Sequence, residues 1–168
     1  MSRAFVKEDD HEEVPIIPPR AHLPEGFVNY VTPVGMELLL TERKTLLAKR
    51  ASLNIDDEKD RRFAIAMLDG KSQLLNSRIA TAKVVHPTTH HTNDTVRFGA
   101  TITLKIMESG KSEVFRIVGV DEANIAKKKI AYTSPMARIL INKSEGDTAT
   151  LILERGCRVF EIQKITYK

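Results

Sequence analysis

Thr32-Pro33-Val34-Gly35-Met36-Glu37-Leu38-Leu39-Leu40 opens the stretch whose period decides the fold. Thr32 suits a helix N-cap and Pro33 the first helical position, where a missing amide costs nothing. From there Leu39, Leu46 and Leu53 recur every seven residues, with Leu40 and Leu47 beside the first two. The pattern resumes with Met67-Leu68, Leu74-Leu75 and Ala82. Apolar residues spaced in this way predict a coiled-coil seam on each of two helices. One antiparallel fold-back centred on Asp57 sets Leu39 against Leu75, Leu40 against Leu74, Leu46 against Leu68 and Leu47 against Met67. The expected product is a helical hairpin with its tip near residues 54–58. Its arms of about twenty residues would extend roughly 30 Å at 1.5 Å per residue. Gly70, inside the second arm, should weaken that helix by about 1 kcal/mol.

Beyond the hairpin the period changes. His86-Pro87-Thr88-Thr89-His90-His91 is polar and broken by proline, so residues 86–95 read as a linker. Ala100, Ile102, Leu104 and Ile106 then alternate with Thr101, Thr103 and Lys105, which is the period of a half-buried strand. Residues 114–120, 130–132, 150–153 and 159–165 read as further strands. Ser134-Pro135 opens a short helix through Ile141, and Gly146-Asp147 turns the chain back. The fold class is therefore α+β: an N-terminal antiparallel hairpin over residues 32–85, and over residues 96–168 a small, mostly antiparallel β domain with one short helix.

Ahead of the hairpin, residues 1–31 form an arm. It holds Glu8-Asp9-Asp10-His11-Glu12-Glu13 and then Pro15, Pro18, Pro19 and Pro24. Such a segment cannot build a helix or a core of its own. It reads as loosely draped, with Ile16, Ile17 and Leu23 as the residues able to pin it to the folded body.

Composition excludes several functions. Cys157 is the single cysteine, which rules out an internal disulfide framework and multi-cysteine metal sites, and fits a cytoplasmic protein. No apolar run reaches the length of a membrane span, and Met1 to Asp10 has no secretory core segment. Net charge is +4, spread as an acidic arm on two mildly basic segments, too thin for a tight duplex DNA binder. There is no tryptophan and aromatics are 5%, so a base-stacking platform is poorly supplied. Gly-rich nucleotide loops are absent, which speaks against an enzyme using them.

The candidate chemistry concentrates at the hairpin tip. Asp56, Asp57, Glu58 and Asp60 place carboxylates next to Arg50, Lys59, Arg61 and Arg62. Oxygen ligands of this kind suit a hard divalent cation, shared with another macromolecule because a convex tip cannot enclose it. The plainer reading is that these acids cap the second helix and favour its dipole. His86, His90, His91 and Asp94 lack a preorganised geometry for a metal. Cys157, between Arg155 and Arg158, has no identifiable base, and Ser134 reads as a cap. Lys127-Lys128-Lys129 reads as a solvated turn or an anion-facing patch.

The run Phe115-Arg116-Ile117-Val118-Gly119-Val120-Asp121-Glu122, then Ser134-Pro135-Met136-Ala137-Arg138-Ile139-Leu140 and Gly146-Asp147, resembles the C-terminal domain of the bacterial Gre transcript-cleavage and elongation factors. Thr32-Pro33-Val34-Gly35 with Leu39 is similar to the start of the Gre coiled coil. The resemblance implies an FKBP-like C-terminal domain that docks at the rim of the secondary channel of bacterial RNA polymerase. Docking would use Thr133, Ser134, Pro135, Met136 and Arg138. It implies a coiled coil entering the channel, where tip acids help hold a Mg²⁺ of the polymerase active centre. The factor would be a monomeric cofactor of the polymerase, not an enzyme, with no cofactor of its own. It would meet nascent RNA and DNA only within the elongation complex. Cleavage-competent tips usually read G-D-x-x-E-N-A; here the stretch is Asn54-Ile55-Asp56-Asp57-Glu58-Lys59-Asp60. The arms are also about two turns shorter than is usual, a deficit of roughly 10 Å each. Short-armed relatives of this kind bind polymerase without cleavage, so a channel-occupying regulator is the alternative. An FKBP-type prolyl isomerase and a plain coiled-coil scaffold are remoter readings.

Overall fold

Thr32 starts the first helix as its residue type predicts. In the computed structural model, which describes residues 14–86 and 95–167, its backbone is extended and its hydroxyl accepts the Gly35 amide at 2.9 Å. Pro33 follows at the first turn, and α1 runs Pro33–Ala51. Asp57 opens α2 (Glu58–Thr81) by accepting the Asp60 amide, with Glu58 and Asp60 in the first turn where the helix dipole favours acids. Asp57 is thus the cap of the second arm and not the middle of the turn, which lies between Ala51 and Glu58.

The seam is half of what the repeat suggests. Leu39 and Leu75 are buried together with Val31, and Met36, Leu46, Ile79 and Ala82 pack against them. Leu47 is 56% exposed and Leu74 is 39% exposed. Neighbours in a Leu-Leu pair sit about 100° apart around a helix of 3.6 residues per turn. Two helices share one line of contact, so one leucine of the Leu46-Leu47 and Leu74-Leu75 pairs faces it and the other turns toward solvent. Arg50 adds a bond between the arms, its guanidinium donating to Asp69 at 2.6 Å.

Two short strands close the foot of the hairpin. β1 (Tyr30–Val31) and β2 (Lys83–Val84) pair in parallel across the entry to α1 and the exit from α2. Two residues carry no period, so nothing in the sequence announces them.

The remaining strands are β3 (Thr101–Ile106), β4 (Ser112–Val118), β5 (Lys129–Ala131), β6 (Thr148–Leu153) and β7 (Gly156–Thr166). They form one sheet in the order β5-β4-β3-β7-β6. Every pairing is antiparallel except β4 with β5. A bulge between Thr103 and Leu104 shifts the register against β7, which increases local twist and helps curl the sheet. Helix α3 (Pro135–Leu140) covers the curled face, burying Ala137 and Leu140 against Ile102, Leu104, Ile117, Phe160 and Ile162.

The arm from residue 14 onward lies against both parts. Leu23 packs on the sheet core and Ile17 is half-buried against Gly70, whereas Ile16 stays 90% exposed. The acidic run at residues 8–13, together with His90, His91 and Asp94, lies outside the described residues. No helix among the described residues is long and apolar enough to cross a membrane.

Leu75 is fully buried between the arms. Replacing it with Ala should cost about 2–5 kcal/mol in urea unfolding, the usual range for a core leucine; Leu47→Ala should cost well under 1 kcal/mol because its side chain is in water.

Candidate functional site

The tip carboxylates do not have equal standing. Asp56, Asp57, Glu58 and Asp60 are all exposed. Asp57 spends one oxygen on the Asp60 amide at 2.9 Å. Glu58 accepts from Arg62 at 2.6 Å, one turn along the helix. That hydrogen bond, with the charge behind it, holds the Glu58 carboxyl below its ordinary range. Asp56 and Asp60 have no ion-pair partner among the described residues. No group of three or more His, Cys, Asp or Glu side chains there is arranged to hold a metal ion. The tip therefore offers oxygen donors of the right hardness, on a convex end, without a closed coordination shell.

The second candidate set sits at the opposite end of the hairpin. Ser134 accepts the Ala137 amide at 3.2 Å and so caps α3. Pro135 is exposed, and Thr133 and Ser134 are half-exposed. Met136 packs against the sheet core. Arg138 lies over the Phe27 ring, 5.1 Å from its centre, a cation–π contact with the arm. Phe27, Tyr30, Phe98 and Tyr132 form an aromatic cluster beneath this loop. The Tyr132 hydroxyl donates to the Val28 carbonyl, and burial pushes its pKa up, so it stays a donor. The structure thus joins Thr133, Ser134, Pro135, Met136 and Arg138 into one rim at the foot of the hairpin. The tip acids stand away from it by the length of α1, 19 residues or roughly 28 Å.

What couples the two ends was not legible as chemistry. Glu122, at the end of the Phe115–Glu122 run, is buried; it accepts from the Thr32 hydroxyl and from Lys129 at 2.9 Å. Asp121 accepts from Arg20 of the arm at 2.9 Å and faces Arg78 of α2 at 3.3 Å. The available signal was Arg20 itself, an isolated cation among prolines. The basic run is largely spent internally. Lys128 binds Glu113 at 2.7 Å and lies over Phe115, and Lys129 binds Glu122. Cys157 is exposed on β7.

Residues 91–167 match the family model for transcription elongation factor GreA/GreB, C-terminal domain. The match includes the Phe115–Glu122 and Ser134–Leu140 runs. Among curated relatives, transcription elongation factor GreA of Ralstonia nicotianae is 39% identical over 100 residues, 60% of this chain and 63% of that protein. GreA of Hyphomonas neptunium is 37% identical over 103 residues, 61% of this chain and 65% of that protein. The chain thus aligns with less than two thirds of the length of these relatives. Among solved structures, GreA/GreB from Nitrosomonas europaea is similar at 19% identity with a TM-score of 0.42, covering 82% of this chain and 98% of that one.

Because Asp57 is a cap, its charge and its hydrogen bond can be separated. Asp57→Ala should cost about 1 kcal/mol of stability, while Asp57→Ser should cost a few tenths because serine caps as well. Thermal unfolding of the two variants checks this.

Proposed function

We propose that this chain is a Gre-type transcription elongation factor, a cytoplasmic, monomeric accessory protein of bacterial RNA polymerase and not an enzyme. In this reading the arm (1–31), hairpin (32–85), linker (86–95) and sheet domain (96–168) divide the work. The rim of Thr133, Ser134, Pro135, Met136 and Arg138 docks at the mouth of the secondary channel, and the hairpin enters it. The observation that carries the reading is one chain joining a GreA/GreB-type sheet domain to a projecting hairpin with an acidic end. Nascent RNA and template DNA are met only inside the elongation complex.

The tip offers hard oxygen donors to a Mg²⁺ that the polymerase holds, and that ion would supply charge stabilisation to cleavage of backtracked RNA. Asp56 and Asp60 are the residues whose carboxylates are available for it. Asp57 holds the start of α2, and Arg62 keeps Glu58 ionised yet engaged. A second reading draws on the same geometry. Two of four acids are already committed within the tip, which favours a factor that occupies the channel and competes with other entrants without promoting cleavage.

Cleavage of RNA in a stalled, backtracked elongation complex separates the two readings, with binding measured on the same complex. Under the cleavage reading, Asp56→Asn/Asp60→Asn should lower cleavage at least about tenfold and leave affinity within about twofold. Asp57→Ser should retain most of both. Binding without shortened transcripts identifies the channel-occupying regulator. Loss of binding on Ser134→Asp/Pro135→Ala is expected under either reading, and no binding by the unmodified protein would overturn both.

A further inference from the structure

We infer that Ile17 and Arg20 turn the N-terminal arm into a brace that fixes the direction of the hairpin relative to the sheet domain; as positioning residues for the tip they matter through the function proposed above. At its foot the hairpin is held by the β1–β2 pair, by Thr32 on Glu122 and by Tyr132 on the Val28 carbonyl. All of these lie close to the point about which the hairpin would swing. The arm adds anchors farther out. Arg20 donates to both oxygens of Glu42 on α1, at 2.8 and 3.0 Å, and to Asp121 of the sheet domain at 3.0 and 2.9 Å. A planar guanidinium binding two carboxylates in this way fixes orientation as well as distance. Arg78 of α2 faces the other oxygen of Asp121 and donates to the Ala21 carbonyl at 2.6 Å. One carboxylate of the sheet domain thus receives cations from both the arm and the second helix.

Ile17 supplies a further anchor, on α2. A Cβ at residue 70 would lie 2.5 Å from Ile17 Cδ1 and 2.6 Å from Cγ1, so the side chain needs a glycine beneath it. Glycine is a poor helix former, and its place inside α2 is accounted for by the seat it makes. Pro18 and Pro19 separate the two anchors and restrict the backbone between them. Glu42 stands roughly 15 Å, and Gly70 roughly 17 Å, along their helices from the foot. A slip of about 1 Å at that radius moves a tip at roughly 28 Å by only about 2 Å; the same slip within about 5 Å of the pivot would move it about 6 Å. Metal-ligand placement tolerates the first far better than the second.

The test is the spread of hairpin directions in the purified full-length chain. Spin labels at Asn54→Cys and Ile152→Cys, in a Cys157→Ser background, report the tip-to-sheet distance distribution by pulsed electron resonance. Ile17→Asp/Arg20→Ala should broaden it at least about twofold. Gly70→Ala should broaden it too, although alanine favours the helix, because the added carbon evicts Ile17. Ile17→Val should keep the original width. Circular dichroism confirms that helices and sheet persist; should the double variant unfold, Gly70→Ala carries the test. Unchanged widths in the folded double variant and in Gly70→Ala would overturn the brace. The readout needs no polymerase, so a broadened distribution in a protein that does not bind polymerase would support the brace while removing the proposed function.

Discussion

The hydroxyl of Thr32 is the joint on which the arrangement turns. A hydroxyl has one proton and two lone pairs. Here the proton goes to Glu122 and a lone pair receives the Gly35 amide. One small side chain therefore starts the first helix and ties that start to the sheet domain. The site is tight: a Cβ on Gly35 would sit 2.8 Å from the Glu122 carboxylate. Burying that carboxylate is costly unless it is paired, and Lys129 from the adjoining strand supplies the opposite charge. The point at which α1 joins the sheet domain is set by this contact.

Asp121, the neighbour of Glu122, extends the same logic outward. Its side chain is 8% exposed and has Arg20 and Arg78 as ion partners. Glu42 takes the remaining valence of Arg20. Two cations and two anions from the arm, both helices and the sheet domain thus sum to no net charge. Removing Asp121 would leave the guanidinium of Arg78, 13% exposed, without its ion partner, a larger penalty than loss of an exposed pair. Adjacent acids at a strand end thereby serve different helices of the hairpin.

Much of this was legible, and the reason is periodicity. Leu39 and Leu75 repeat at helical spacing and meet; Ile102 and Leu104 alternate at strand spacing and are buried. Thr32, Asp57 and Ser134 act as caps because short oxygen-bearing side chains accept amides that no helix can satisfy itself. What escaped has no period. The β1–β2 pair is two residues long, and the exposure of Leu47 and Leu74 depends on how two cylinders touch. Gly70 looked like a weakness because its value lies in Ile17, a residue fifty-three positions earlier. The acidic tip was visible as composition, but the division of Asp57 to a cap and Glu58 to Arg62 is a matter of three-dimensional placement. The charges of Lys128 and Lys129 were likewise visible, and the carboxylates that consume them were not.

The arm's course has a practical consequence. Val14 and Pro15 line a recess with Lys59, Asp60, Arg62 and Phe63, close to the end of the hairpin, whereas Tyr167 is tied through its hydroxyl to the Thr95 carbonyl in the sheet domain. The described chain thus begins against the hairpin near its tip and ends in the sheet domain. A bulky label attached at Val14 would therefore sit beside the tip and obstruct its entry into any narrow passage. The same label at Ile152, 84% exposed on the sheet domain, leaves the leading end clear, so the place of a label decides whether it hinders the tip.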